Sequence, residues 1–112
     1  MTFESIKTIR DLVTEAGKAY ENRVYLRTLR NNMIHDTTFG QFSLECNAIA
    51  AWTAEQSKNL GHQARVAMIS SNSALYVRMM LGVMVGGGTT VFLDPQATED
   101  VICACLNKAE AD

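Results

Sequence analysis

Three consecutive glycines, Gly86, Gly87 and Gly88, are the first candidates for chemistry, because glycine amides can wrap a phosphate group. That use requires the loop to follow a strand and open a helix, where free N–H groups and the helix dipole converge. Here the order is reversed. An apolar helical stretch precedes the glycines, the β-branched run Thr89, Thr90, Val91 follows, and no Gly-Lys-Ser or Gly-Lys-Thr comes after. The triplet is therefore predicted to end a helix and allow close backbone packing. Ser70, Ser71, Asn72 and Ser73 are better placed, at the carboxyl end of a predicted strand and the start of a helix, where ligands of open α/β sheets bind. An ordinary helix cap accounts for all four residues and stands ahead of a small-anion site.

The remaining reactive side chains do not assemble into a known pattern. Cys103 and Cys105 are two residues apart, which on a helix turns their thiols about 200° from one another. His35 and His62 fall on separate segments without a partner at zinc-ligand spacing, so core thiols and loop histidines are the expected roles. No Gly-x-Ser-x-Gly elbow or catalytic-cysteine signature surrounds any serine or cysteine. Met68, Met79, Met80 and Met84 could form a pliable binding surface, but their positions in a strand and a helix read as core packing. No catalytic, cofactor-binding or metal-ligating residue is assigned from the sequence.

The elements that would carry these residues follow from periodicity. Ile6, Ile9, Leu12, Val13, Ala16 and Tyr20 recur at helical steps, predicting an amphipathic helix over residues 3–19 that Gly17 weakens near its end. Residues 24–29 and 33–38 alternate as strands around Asn31 and Asn32, a pair that tolerates left-handed turn geometry, so a hairpin is expected. Thr38, Phe39, Gly40 and Gln41 form a capping box opening a helix of about five turns that ends at Gly61. Phe42, Cys46, Ile49, Ala50 and Thr53 make its inner face, and Glu45, Glu55 and Lys58 its wet face. Residues 66–69 read as a buried strand, 74–85 as a buried helix and 90–93 as a second buried strand, with Thr98 capping a last helix. A crossover of about 20 residues implies parallel pairing of those two strands. The fold class is α/β: a small layered domain with a parallel βαβ unit, an N-terminal helix and a β-hairpin, over residues 1–112 as a single domain.

Composition narrows the function classes. With 112 residues and 47% hydrophobic content the chain can bury one modest core. A formal charge of −2 supplies no basic field for nucleic acid or anionic lipid. Three cysteines lack the even spacing of a disulfide framework, and the N-terminus lacks a signal-peptide core, so a cytoplasmic location is expected. Residues 74–93 have the length of a membrane span, but Arg78, the glycines and the β-branched run argue against one.

Taken in order, the motifs resemble the N-terminal part of the AMP-forming acyl-CoA synthetases, within the adenylate-forming ligase superfamily. The carriers are Thr38-Phe39-Gly40-Gln41-Phe42, similar to the family's Thr-Tyr-x-x-Leu helix start, then Gly61, Arg65-Val66-Ala67-Met68-Ile69 and Asn72, and finally Gly82, Gly86 and Gly88 leading into Val91-Phe92-Leu93-Asp94-Pro95. Residues 98–112 look like the family's next helix, and the details look most like long-chain fatty-acid CoA ligases. The resemblance implies ATP, Mg2+ and CoA as cofactors of a full-length enzyme that activates a fatty or other carboxylic acid as its acyl-AMP. It also implies that the phosphate loop, adenine motif, ribose aspartate and catalytic lysine lie beyond Asp112, which makes this chain an inactive scaffold portion whose partner is the remainder of its own ligase chain. Strands meant for a larger sheet would leave open edges, so self-association is expected. The alternatives are an amino-acid- or aryl-adenylating relative, and a free-standing α/β module that binds a small anion or a partner without catalysis.

Overall fold

The computed structural model describes residues 1–112 and shows a mixed α/β slab with four α-helices and two two-stranded sheets. The first helix is shorter than its apolar period suggests. Phe3–Ser5 forms a separate 3-10 turn, and α1 runs Ile9–Ala19 behind Thr8. The break is a capping box that the periodicity concealed: Thr8 Oγ1 accepts from Asp11 N, while the Asp11 carboxylate accepts from Thr8 N and Lys7 N, each at 3.0 Å. The Lys7 amide and the Thr8 hydroxyl and amide hold the Asp11 carboxyl below the usual carboxylate range. Gly17, rather than merely weakening the end, is where α1 meets α2, since a Cβ there would lie 2.6 Å from Ser43 Cβ.

The hairpin forms as expected. β1 (Val24–Arg30) pairs antiparallel with β2 (Met33–Thr38), Arg30 opposite Met33, and Asn31 and Asn32 take φ of 53° and 61°, a left-handed pair matching the strand twist. A bulge at Tyr25, between Val24 and Leu26, turns its ring toward α2, 4.8 Å from Phe39 and 4.6 Å from Phe42 between centroids. The Arg27–Asp36 pair braces the outer face at 2.7 Å and holds the Asp36 carboxyl below its usual range.

α2 (Phe39–Leu60) is capped reciprocally by Thr38 and Gln41 and stopped by Gly61 at φ 77°. Its 22 residues make about six turns, one more than expected. β3 (Arg65–Ile69), α3 (Ala74–Val85) and β4 (Thr89–Leu93) form the parallel crossover unit, with Arg65 opposite Thr89 and Ile69 opposite Leu93. α4 (Glu99–Ala109), capped by Thr98, lies on β4.

Packing is less complete than the run of apolar strands implies. Val13, Phe42, Cys46 and Val85 form the core, with Leu26, Ala50, Val77 and Leu81 against it. β3 and β4 are only partly covered: Ile69 and Phe92 each remain 48% exposed, and Leu75 on α3 is 63% exposed. Parallel strands are apolar because helices or further strands normally cover both faces and both edges, and here two strands carry that pattern alone. The slab measures 43 × 39 × 24 Å with a radius of gyration of 15.7 Å, against about 13 Å for a compact domain of this size.

α1 is locked to α3 by Arg10, whose Nε and Nη2 donate to the Val85 carbonyl at 3.2 and 2.8 Å. The guanidinium thus satisfies an unpaired carbonyl at the negative end of α3. Arg10→Ala is expected to cost about 1–2 kcal/mol in urea unfolding, and an unchanged midpoint would show that the contact adds nothing.

Candidate functional site

The glycine turn is chemically closed. Gly86 N donates to Gly82 O at 3.0 Å, Gly87 N to Met84 O at 3.1 Å and Gly88 N to Val83 O at 2.9 Å. All three amides are spent on the last carbonyls of α3, so none is available to a phosphate. The glycines serve packing instead. Cβ atoms built on Gly82 and Gly86 would fall 2.6 Å from Ile49 Cβ and 2.5 Å from Ala50 O, so this face of α3 seats directly on α2.

At the other end of α3, Ser73 is the cap, its Oγ accepting from Tyr76 N at 3.1 Å, while Ser70 Oγ donates to the Ser71 carbonyl. Asn72 and Ser73 border a polar cleft of about 650 Å³ whose opposite wall is Thr28, Arg30, His35 and Thr37 of the hairpin. His35 therefore sits on a strand rather than in a loop, in the same cleft as the serine-rich turn. Arg78 forms the floor, but its charge is engaged: Nη2 donates to Thr37 Oγ1 at 2.9 Å and Nε pairs with Glu45. Glu45, expected on the wet face of α2, is drawn into this node because a lone arginine in an apolar helix needs a carboxylate. That partnership joins α2, α3 and β2. Arg78 was visible in the sequence as an isolated charge, which was the one signal that a partner must exist.

The cysteines divide. Cys46 is fully buried in the core, and burial, with Glu45 beside it and Arg78 opposing, raises its thiol from 9.0 to about 11. Cys103 and Cys105 are exposed rather than in the core, because the half-buried side of α4 is the Ile102, Leu106 and Ala109 stripe and the thiols lie about 90° and about 70° off it, in opposite senses. An uncharged thiol reagent at pH 8 is expected to modify Cys103 and Cys105 promptly and Cys46 only on unfolding. Because the unfolded thiol ionises more easily, its contribution to stability is whole below pH 9.0 and fades as pH rises toward about 11. A Cys46→Ala variant should lose part of the alkaline fall in stability, and identical alkaline profiles would refute that assignment.

His62 does lie in a turn, with Nε2 3.3 Å from Asp112 Oδ1. Of the methionines, only Met68 is buried; Met79, Met80 and Met84 are half-buried, and Met79 joins Ala48, Ile49 and Trp52 in an apolar surface valley. No three His, Cys, Asp or Glu side chains converge where a metal could be held, and no helix is long and apolar enough to cross a membrane.

What the slab does define is a class of fold, the opening portion of an adenylate-forming domain. The chain superimposes on the N-terminal subdomain of Klebsiella oxytoca NpsA with a TM-score of 0.78 at 24% identity, over 95% of this chain and 26% of that one. It superimposes on the L. pneumophila fatty acyl-adenylate ligase, solved with acyl adenylate and pyrophosphate, with a TM-score of 0.80 at 19% identity, over 99% of this chain and 20% of that one. An artificially fused adenylation–PCP di-domain, NpsA-ThdA from Klebsiella oxytoca, gives 0.76 at 24% identity, over 96% and 19%. The chain thus spans about a fifth to a quarter of the structures it matches. Comparison with curated protein sequences returns no match. The model of the AMP-binding enzyme family matches residues 13–112, and the chain belongs to that family.

Proposed function

We propose that these residues are the N-terminal scaffold of an ATP-dependent acyl-CoA synthetase that acts on a fatty acid. In that reaction a carboxylate oxygen attacks the α-phosphorus of ATP, expelling pyrophosphate and forming an acyl-AMP. A thiol such as CoA then attacks the acyl carbon, losing its proton as AMP departs. The observation that carries the reading is the family match over residues 13–112, supported by the fit to a fatty acyl-adenylate ligase and by a slab with uncovered strands. ATP, Mg2+ and CoA are assigned to the full-length enzyme and the cytoplasm as its location, with the role of residues 1–112 being to carry the start of its N-terminal domain.

A second reading within the superfamily rests on NpsA, whose N-terminal subdomain binds 3-hydroxyanthranilyl-AMSN, an aryl compound. ATP–pyrophosphate exchange by the longer protein separates the two. Exchange stimulated by long-chain fatty acids is the expected result, whereas exchange driven only by aryl or amino acids would transfer the protein to that branch. A free-standing anion-binding module is not favoured, because the family match covers residues 13–112. Open edges on β3 and β4 also support self-association of the isolated chain. Sedimentation should show dimers or larger species at high concentration, and a clean monomer would refute it.

A further inference from the structure

We infer that the apolar pocket between α1, α2 and the hairpin is a binding site for an uncharged, single-ring aromatic molecule. The pocket has a volume of about 130 Å³ and every side chain that lines it is hydrophobic. Leu12, Val13 and Ala16 of α1 stand on one side, with Tyr25 of β1 and Phe39 and Phe42 of α2 on the other. Two features of the sequence make the room. Gly17 lets α1 close on Ser43 of α2, whereas Ala16, one position earlier, is too small to fill the space beside the bulged Tyr25 ring. Val13, Ala16 and Phe42 are buried and form the wall, while Leu12 and Tyr25, 41% and 38% exposed, frame a mouth open to solvent.

The lining fixes the chemistry of the occupant. A water molecule held in a pocket needs several polar partners, and this wall offers none. An apolar cavity of about 150 Å³ stays dry and takes benzene, and this one is close to that size. The Tyr25 ring lies 4.8 Å from Phe39 and 4.6 Å from Phe42 between centroids, tilted by 48° and 58°. Rings tilted in this way present both edges and faces, which are the contacts that a further aromatic ring prefers. Charge is excluded, because no lysine, arginine or histidine lines the pocket and a carboxylate would lose its hydration there without a partner. The inference does not depend on which acid the longer protein activates.

The test is titration of the longer protein with toluene, followed by NMR of isotope-labelled leucine methyl groups. The methyl signals of Leu12 and Leu81, both of which line the pocket, are expected to shift and saturate. Benzoate, the same ring with a charge, should need at least about tenfold more to produce the same shift. Ala16→Leu in the wall and Leu12→Phe at the mouth each fill the space, so each should weaken toluene binding at least about tenfold. Leu12→Phe replaces a half-exposed side chain, so it decides the matter even where Ala16→Leu overpacks the wall and unfolds the protein. Shifts that rise without saturating, or that are as large in Leu12→Phe as in the wild type, would reduce the effect to general partitioning and overturn the inference. Benzoate binding as tightly as toluene would overturn it too. So would unmoved Leu12 and Leu81 signals, which would show the pocket filled by other residues of the longer protein.

Discussion

Gly86→Ala is expected to destabilise the domain by roughly 2–3 kcal/mol, seen as a fall in the urea midpoint at unchanged slope. The added Cβ would lie 2.5 Å from the Ala50 carbonyl oxygen, 2.8 Å from Ala50 Cα and 2.9 Å from Thr53 Cβ. Two of these atoms belong to the backbone of α2, so relief requires moving one helix off the other rather than swinging a side chain. Conformation is not the issue, because Gly86 has φ −77° and ψ 2°, which alanine accepts. The neighbouring residue supplies the control. Gly87 has φ +81° and open space around a built Cβ, so Gly87→Asn, in a residue type that tolerates the left-handed region, should stay within about 0.5 kcal/mol of the wild type. If Gly86→Ala were as stable as the wild type, the close seat of α3 on α2 would be wrong.

Phe42→Ala should do more damage still, about 3–5 kcal/mol, which is a large part of the roughly 5–15 kcal/mol that holds a typical domain folded. Phe42 is 4% exposed, packs with Val13, Cys46 and Val85, and holds the bulged Tyr25 ring. It is the side chain through which α1, α2, α3 and the hairpin meet, and so little else is buried that the loss cannot be spread. Phe42→Leu, which keeps most of the volume, is expected to cost about 1–1.5 kcal/mol. Urea titration would show a large fall in the midpoint of the alanine variant and a small one for the leucine variant. An alanine variant with the urea midpoint of the wild type would mean that the core lies elsewhere.

The parts of this fold that were legible in the sequence are those decided within four residues. Thr38 and Gln41 cap α2, Gly61 ends it, Asn31 and Asn32 turn the hairpin, and Thr98 opens α4, each by a contact with its own near neighbours. The parallel pairing of β3 and β4 followed from the length and apolar character of their connection. The reversed order of helix and glycines also excluded a phosphate loop, and the three engaged amides show why. Misreadings arose where a partner is distant or missing. Glu45 looked solvated until Arg78, 33 positions on, reached it. Cys103 and Cys105 looked like core residues by type, but α4 packs chiefly on β4 and leaves both thiols exposed. The strands looked buried because their composition is set for neighbours that two strands do not supply. Only at Thr8 and Asp11 did a local signal go unread, because the apolar period ran across it from Ile6.

The most direct test of the central claim is acyl-AMP formation by the purified 112-residue chain, supplied with ATP, Mg2+ and a panel of fatty and aryl acids. The expected result is no acyl-AMP and no released pyrophosphate, because these residues span only about a fifth to a quarter of the structures they match and the glycine amides are occupied. ATP-dependent acyl-AMP formation that follows the folded chain through purification would contradict the account.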